Sequence, residues 1–247
     1  MYSDRFHINQ FFKLLISFFI FTSCQKDYES IELEFVDQSF GQNATTQYKK
    51  FFILEDRIRG DIEVVFQGED TPKNLRSNKG LSLSIFFERE SKKFFIAAHQ
   101  LKKIIANPNF SSIVGSQPAI AKAGARAKKT GANKNIQNFS CEVLAIEQEM
   151  PPSNASNNAK TLLYEGCVAS YEELGIDPKF GQNFSELTRL MVAGMGIQFE
   201  DQHGIILESR VYDKSGQKIM ESKFQNIKKS KVQDNLFDAP IGYETLN

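Results

Sequence analysis

Apolar and polar residues alternate along most of this chain, the period of strands with one dry and one wet face. Ile31, Leu33 and Phe35 alternate with Glu32 and Glu34, which predicts a first strand. Phe51-Phe52-Ile53-Leu54 and Ile62-Glu63-Val64-Val65-Phe66 predict two more, punctuated by Gly60 and Gly68. Leu81, Leu83, Ile85 and Phe87 alternate with Ser82 and Ser84; the polar stretch 89–92 then turns the chain into Phe94-Phe95-Ile96-Ala97, a hairpin. From Ala98 to Ala106 the spacing of Leu101, Ile104 and Ile105 predicts a short helix that Pro108 stops. Phe139 to Ile146 and Leu162 to Val168 read as a strand pair across a polar loop. Ser170 to Glu173 resembles a capping box for one helical turn, and Asn183-Phe184-Ser185-Glu186 one for a longer helix. On that helix Phe184, Leu187, Leu190 and Met191 share a face, and Gly194 and Gly196 end it. Ile205 to Tyr212, a turn at Asp213 to Gly216 and Gln217 to Ile227 make a closing hairpin, followed by an aperiodic tail from Asp234 to Tyr243.

The first stretch of the chain has another pattern. Residues 11–24 are an apolar run after Arg5, interrupted by Lys13, and end on Phe21-Thr22-Ser23-Cys24. This is the build of a secretory signal peptide, too short to span a bilayer as a mature helix. The last four residues resemble a bacterial lipobox, with Phe21 where Leu is usual. That resemblance implies cleavage before Cys24, acyl chains on its thiol and a membrane reached through them. Gln25-Lys26-Asp27-Tyr28-Glu29 resembles the charged tag of surface-exported lipoproteins in Bacteroidota-type bacteria, with Tyr28 between the acids. The expected address is the cell envelope, lipid-anchored at the outer membrane, with both the surface and the periplasmic side open. The organisation read from this is a signal peptide over 1–23, a lipidated Cys and tether with the first strand over 24–44, and one domain over 45–247.

Composition narrows the chemistry. Lys plus Arg and Asp plus Glu stand at 30 each, so no global basic field gathers nucleic acid. Residues 107–135 are the local exception: they hold no acid and carry Lys122, Arg126, Lys128, Lys129 and Lys134. With no interleaved aromatics, that stretch reads as a flexible, solvated basic excursion rather than a nucleic-acid patch. Only three His occur, and His7 falls within the signal peptide. His99 and His203 read as solvated boundary residues, and with Cys141 and Cys167 they show none of the short spacings of a zinc site. No nucleophile elbow, phosphate loop or dinucleotide glycine pattern is present, and the Glu residues on strands alternate as a wet face should. The chain therefore reads as non-enzymatic, with no metal and no cofactor. An exported chain meets an oxidising compartment, so Cys141 and Cys167 are expected to bridge. Symmetric pairing about Asn154 sets them opposite each other, and Leu144 opposite Tyr164.

The order of elements, with Leu236-Phe237, Pro240 and Gly242-Tyr243 in the tail, resembles the exported families grouped with the LolA- and LolB-like lipoprotein-localisation factors, over about residues 45–245. Asn138-Phe139-Ser140-Cys141 departs from the Gly- and Tyr-bearing stretch usual there. The resemblance implies a mainly β, α+β fold: a curved antiparallel sheet or incomplete β-barrel with short helices packed in its open face. Binding members of that group hold an acyl chain between sheet and helices. Two non-enzymatic functions stay open, beside a hydrolase with an unrecognised site. In one, a lipid or other apolar ligand lies in a cavity lined by Phe51, Phe66, Phe87, Phe94, Phe184, Leu187 and Met191. In the other the same side chains fill the core, and the protein is an accessory interaction subunit of an envelope complex with a protein partner.

Overall fold

The computed structural model describes residues 27–41, 44–67, 80–106, 125–149, 160–193, 197–199 and 204–246. Among them, thirteen strands form one open sheet in the order β10-β7-β8-β9-β11-β12-β1-β2-β3-β4-β5-β6-β13. The chain-order spans are β1 Asp27–Ser39, β2 Ala44–Ile53, β3 Arg57–Gln67, β4 Leu81–Glu88, β5 Lys93–Ala98, β6 Lys103–Ala106, β7 Ala125–Ile136, β8 Phe139–Glu149, β9 Lys160–Ser170, β10 Ile197–Phe199, β11 Gly204–Tyr212, β12 Lys218–Gln233 and β13 Glu244–Leu246. All pairs are antiparallel except the two at the edges, β10 with β7 and β13 with β6. Among the described residues one α-helix, α1 (Pro178–Ala193), lies against β2, β3, β10 and β11, and a 3-10 turn follows β12 at Asp234–Phe237. The fold is thus mainly β, an open curved sheet with a helix across one face, as the alternation and the resemblance imply.

β1 shows how sequence sets register. Ile31, Leu33 and Phe35 are buried in the main core, while Glu32 on the opposite face pairs with Lys50 at 2.6 Å and Lys228 at 2.9 Å. A slip of one residue would exchange these faces, so the register is strongly specified. The closing hairpin is held at its turn by Asp213, whose Oδ1 accepts from Ser215 N, Ser215 Oγ and Gln217 N at 2.8, 2.5 and 2.9 Å. Gly216 completes that turn at a φ of 83°, where a side chain is disfavoured.

Four expectations are corrected. Residues 98–106 are not a helix: His99 to Lys102 turn the chain, with Lys102 at a φ of 50°, and 103–106 form β6. The Leu101, Ile104, Ile105 spacing fits both readings, but Leu101 is 67% exposed while Ile104 packs with Phe86 and Ala97. Residues 125–135 of the basic excursion belong to β7. Their charge is met by acids of other strands, Lys129 by Glu142 at 2.7 Å and Lys134 by Glu165 at 2.5 Å, and the composition of the segment alone does not reveal this. The first strand starts at Asp27 rather than Ile31, so Asp27, Tyr28 and Glu29 of the charged tag pair with β12. The helix starts earlier than the Asn183 box: Asp177 Oδ1 accepts from Lys179 N at 3.1 Å and Pro178 takes the first helical position, a favoured start. The turn at Ser170 does form, with Ser170 Oγ accepting from Glu173 N at 3.1 Å.

Cys141 and Cys167 are bridged, with Cα atoms 5.4 Å apart. The register differs from symmetric pairing by two residues: Val143 stands opposite Cys167, Leu144 opposite Gly166 and Ile146 opposite Tyr164. The bridge is therefore diagonal. Beside it on β9, Gly166 leaves room for the Tyr164 side chain, since a Cβ there would collide with the Tyr164 hydroxyl oxygen.

Candidate functional site

The face of the sheet beneath α1 is the place to test the two functions. Strand alternation sends Leu33 and Phe35 of β1, Phe51 of β2, Phe87 of β4, Phe94 of β5 and Phe224 of β12 into one buried cluster, together with Phe184 and Leu187 of α1. The rings interlock. Phe184 stacks on Phe35 at 6.0 Å and meets Phe51 edge-on at 5.1 Å; Phe35 in turn meets Phe224 edge-on at 5.8 Å, and Phe224 meets Phe139 at 5.9 Å. The Phe51 ring also lies over Gly60, where a Cβ would come within 2.6 Å of it. Of the seven residues singled out as a ligand lining, Phe51, Phe87, Phe94, Phe184 and Leu187 are buried together, and Phe66 packs against them half-buried. The Met191 side chain lies outside the described residues.

Polar contacts pin the helix over this cluster. Asn183 is fully buried and donates from Nδ2 to Leu54 O at 3.0 Å, at the end of β2. Ser185 Oγ reaches Gly204 O at 3.3 Å on β11 and the Tyr171 hydroxyl at 2.5 Å. Lys179 pairs with Glu55, and Glu186 with Arg89 at 3.5 Å. In the sequence Asn183 fits a cap pattern, which hides this pin. A polar residue flanked by core residues on a helix was the available signal.

His99 is not a free boundary residue. It is half-buried between Ser84 and Tyr243, with Nε2 2.7 Å from Ser84 Oγ and Nδ1 2.8 Å from the Tyr243 hydroxyl. Ser84 donates to Asp61 Oδ1 at 2.6 Å, and Arg59 Nε donates to the same oxygen at 2.9 Å. The types match a Ser-His-Asp triad but the order does not. Ser84 gives its proton to the carboxylate, so His99 cannot take it as a general base must. Ser84 is also 1% exposed, closed to any substrate. The chain of bonds instead ties the C-terminal segment to β3, β4 and the β5–β6 turn; Arg59 adds a bond to Leu236 O at 2.8 Å. His203 lies outside the described residues, and among the described residues no group of three or more His, Cys, Asp or Glu is placed to hold a metal.

A second charged network surrounds Arg210. It reaches Glu165 at 3.2 Å, Glu221 at 3.1 Å and Glu208, while Lys218 and Lys223 each reach Glu221 at 3.2 Å. Burial pushes the Glu221 carboxyl up, but hydrogen bonds from Arg210, Lys223 and Lys218 outweigh it and hold the group at about 2 against an ordinary 4.5. A carboxyl depressed by folding adds stability that is whole above its unfolded pKa and lost as pH falls through the folded one. The expected result is that the native protein loses up to about 3 kcal/mol more than Glu221→Gln between pH 4.5 and 2. Urea unfolding across that range reads it; parallel curves would show that Glu221 is not held by the network.

No family model matches the chain, and no curated protein does. Solved structures resemble it at low identity. An uncharacterised conserved protein of Thermus thermophilus aligns at 10% identity and a TM-score of 0.42, over 87% of this chain and 89% of that one. MucB of Pseudomonas aeruginosa, in complex with MucA, aligns at 9% and 0.39, over 88% of this chain and 58% of its own. A LolA-superfamily protein of Nitrosomonas europaea aligns at 9% and 0.29, over 87% and 91%. The chain thus spans little more than half the length of MucB.

Proposed function

We propose that the protein is a non-enzymatic, lipid-anchored protein of the cell envelope that acts by contact with another envelope protein, its half-barrel serving as a filled scaffold. The observation that carries this reading is the interlocked cluster beneath α1. Two of the side chains that would line a lipid cavity, Phe51 and Phe184, meet edge-on, Phe35 stacks on Phe184, and the pins at Asn183 and Ser185 hold the helix down on them. A pocket for an acyl chain needs an apolar space of about a few hundred Å3. The burial of Phe35, Phe51, Phe184 and Leu187 in one cluster beneath α1 supports a filled interior.

Cys24→Ser supplies the test. More than one acyl chain anchors firmly where a single one grips marginally, so the variant is expected to leave the membrane fraction and to lose radiolabelled palmitate. The released protein is then titrated with a fluorescent fatty acid. No saturable binding is expected, while cross-linking of the anchored protein in intact cells gives a discrete heavier species. Saturable uptake of the probe would replace this reading with the lipid-binding one. Retention of the variant in the membrane would remove the anchor.

A further inference from the structure

β1 enters the sheet at Asp27, opposite Gln233, only three residues after Cys24. Three residues at full extension span about 10 Å. Building on the lipid-anchored reading above, we infer that one rim of the sheet is held against the lipid headgroups and that the molecule stands on this end.

The rim is defined by contacts. The β2–β3 turn closes through Leu54 N to Arg57 O at 2.8 Å, and its Asp56 carbonyl accepts from Arg89 N at 2.8 Å, bringing the β4–β5 turn alongside. Arg57 pairs with Asp234 at 2.7 Å, which adds the 3-10 turn, and Glu55 pairs with Lys179 at the start of α1. Exposed charges of both signs stand there, Glu55, Glu90, Lys92 and Lys179 among them, so no single-sign field draws the rim to a bilayer or drives it off. The covalent tie sets the distance. β1 then runs 13 residues to Ser39, about 40 Å at the rise of a strand. The opposite rim, with the β1–β2 turn and the turn at 213–216, is raised by that length and is the end open to a protein partner.

Single cysteines test the orientation, since Cys141 and Cys167 are bridged and an acylated Cys24 carries no free thiol. Glu55→Cys and Glu90→Cys report the near rim, and Lys214→Cys the far one. Each full-length acylated protein is labelled with bimane and reconstituted in phosphatidylethanolamine–phosphatidylglycerol vesicles carrying a headgroup spin label. The expected result is loss of most of the fluorescence at 55 and 90 and no loss at 214. Equal quenching at the two ends, or none at 55 and 90, would overturn the inference while palmitate labelling still upheld the anchor. Absence of palmitate in the starting protein would end both, and that is read before any quenching.

Discussion

Truncating Phe184 to alanine is expected to lower the unfolding free energy by about 3–5 kcal/mol. The ring is 7% exposed and sits between Phe35 and Phe51. Its removal forfeits apolar burial and the two ring contacts, the latter worth about 0.5–1.5 kcal/mol each beyond burial. The cavity cannot close by lowering the helix, because Asn183 one residue before and Ser185 one residue after are already hydrogen-bonded to the strands. The upper half of the range is therefore expected. A urea midpoint that falls with an unchanged slope would confirm the loss; a change below about 1 kcal/mol would mean that the cluster is loosely packed and collapses on the gap. Phe66→Ala, at a half-buried position, is the matched control and should cost markedly less.

The second large effect belongs to the disulfide. Replacing Cys141 and Cys167 together by alanine should cost about 3.5 kcal/mol from the restored freedom of a 26-residue loop in the unfolded chain. For a chain of this size the melting temperature should fall by about 10 °C. Both cysteines are 2% exposed in the main core, so the lost sulfurs add a packing cost in the same direction. A differential scan reads the shift, and thiol labelling of the unreduced, denatured native protein should find no reactive group at either position. An unchanged melting temperature, or two labelled thiols, would show that the bridge does not form in the protein as made.

How far the fold can be read from sequence varies with the kind of order involved. Period-two strands such as Ile31-Leu33-Phe35 declare themselves because one face is dry, and the alternation is visible without knowing the neighbour. The Asp213 hairpin is legible because its turn is built from its own residues. β6 and β7 are not legible, for a shared reason: each is completed by side chains of neighbouring strands. β6 needs Phe95 and Ile96 beside it, and β7 needs Glu142 and Glu165 to neutralise its lysines. The two-residue shift in the β8–β9 pairing is equally hidden, since a shift of two keeps every side chain on its face and the apolar runs fit both registers. At the candidate site the aromatic inventory was readable, because Phe at strand spacing predicts a dry face. Whether those rings leave room or fill it depends on the angle at which α1 crosses. That angle is set by Asn183 and Ser185, polar residues whose partners lie 129 and 19 positions away.

Among the described strands β1 is first in the chain and seventh in the sheet, and this has a kinetic consequence. β1 pairs early with β2, but its other edge waits for β12, with Ser30 meeting Ser230 across 200 residues. A chain that emerges N-terminus first therefore carries a thirteen-residue open edge until β12 has been made. Long-range pairing of this kind is slow, and an unpaired strand edge is a template for wrong partners. The seam between β1 and β12 is where folding finishes, and hydrogen exchange started during refolding should find its amides among the last to gain protection.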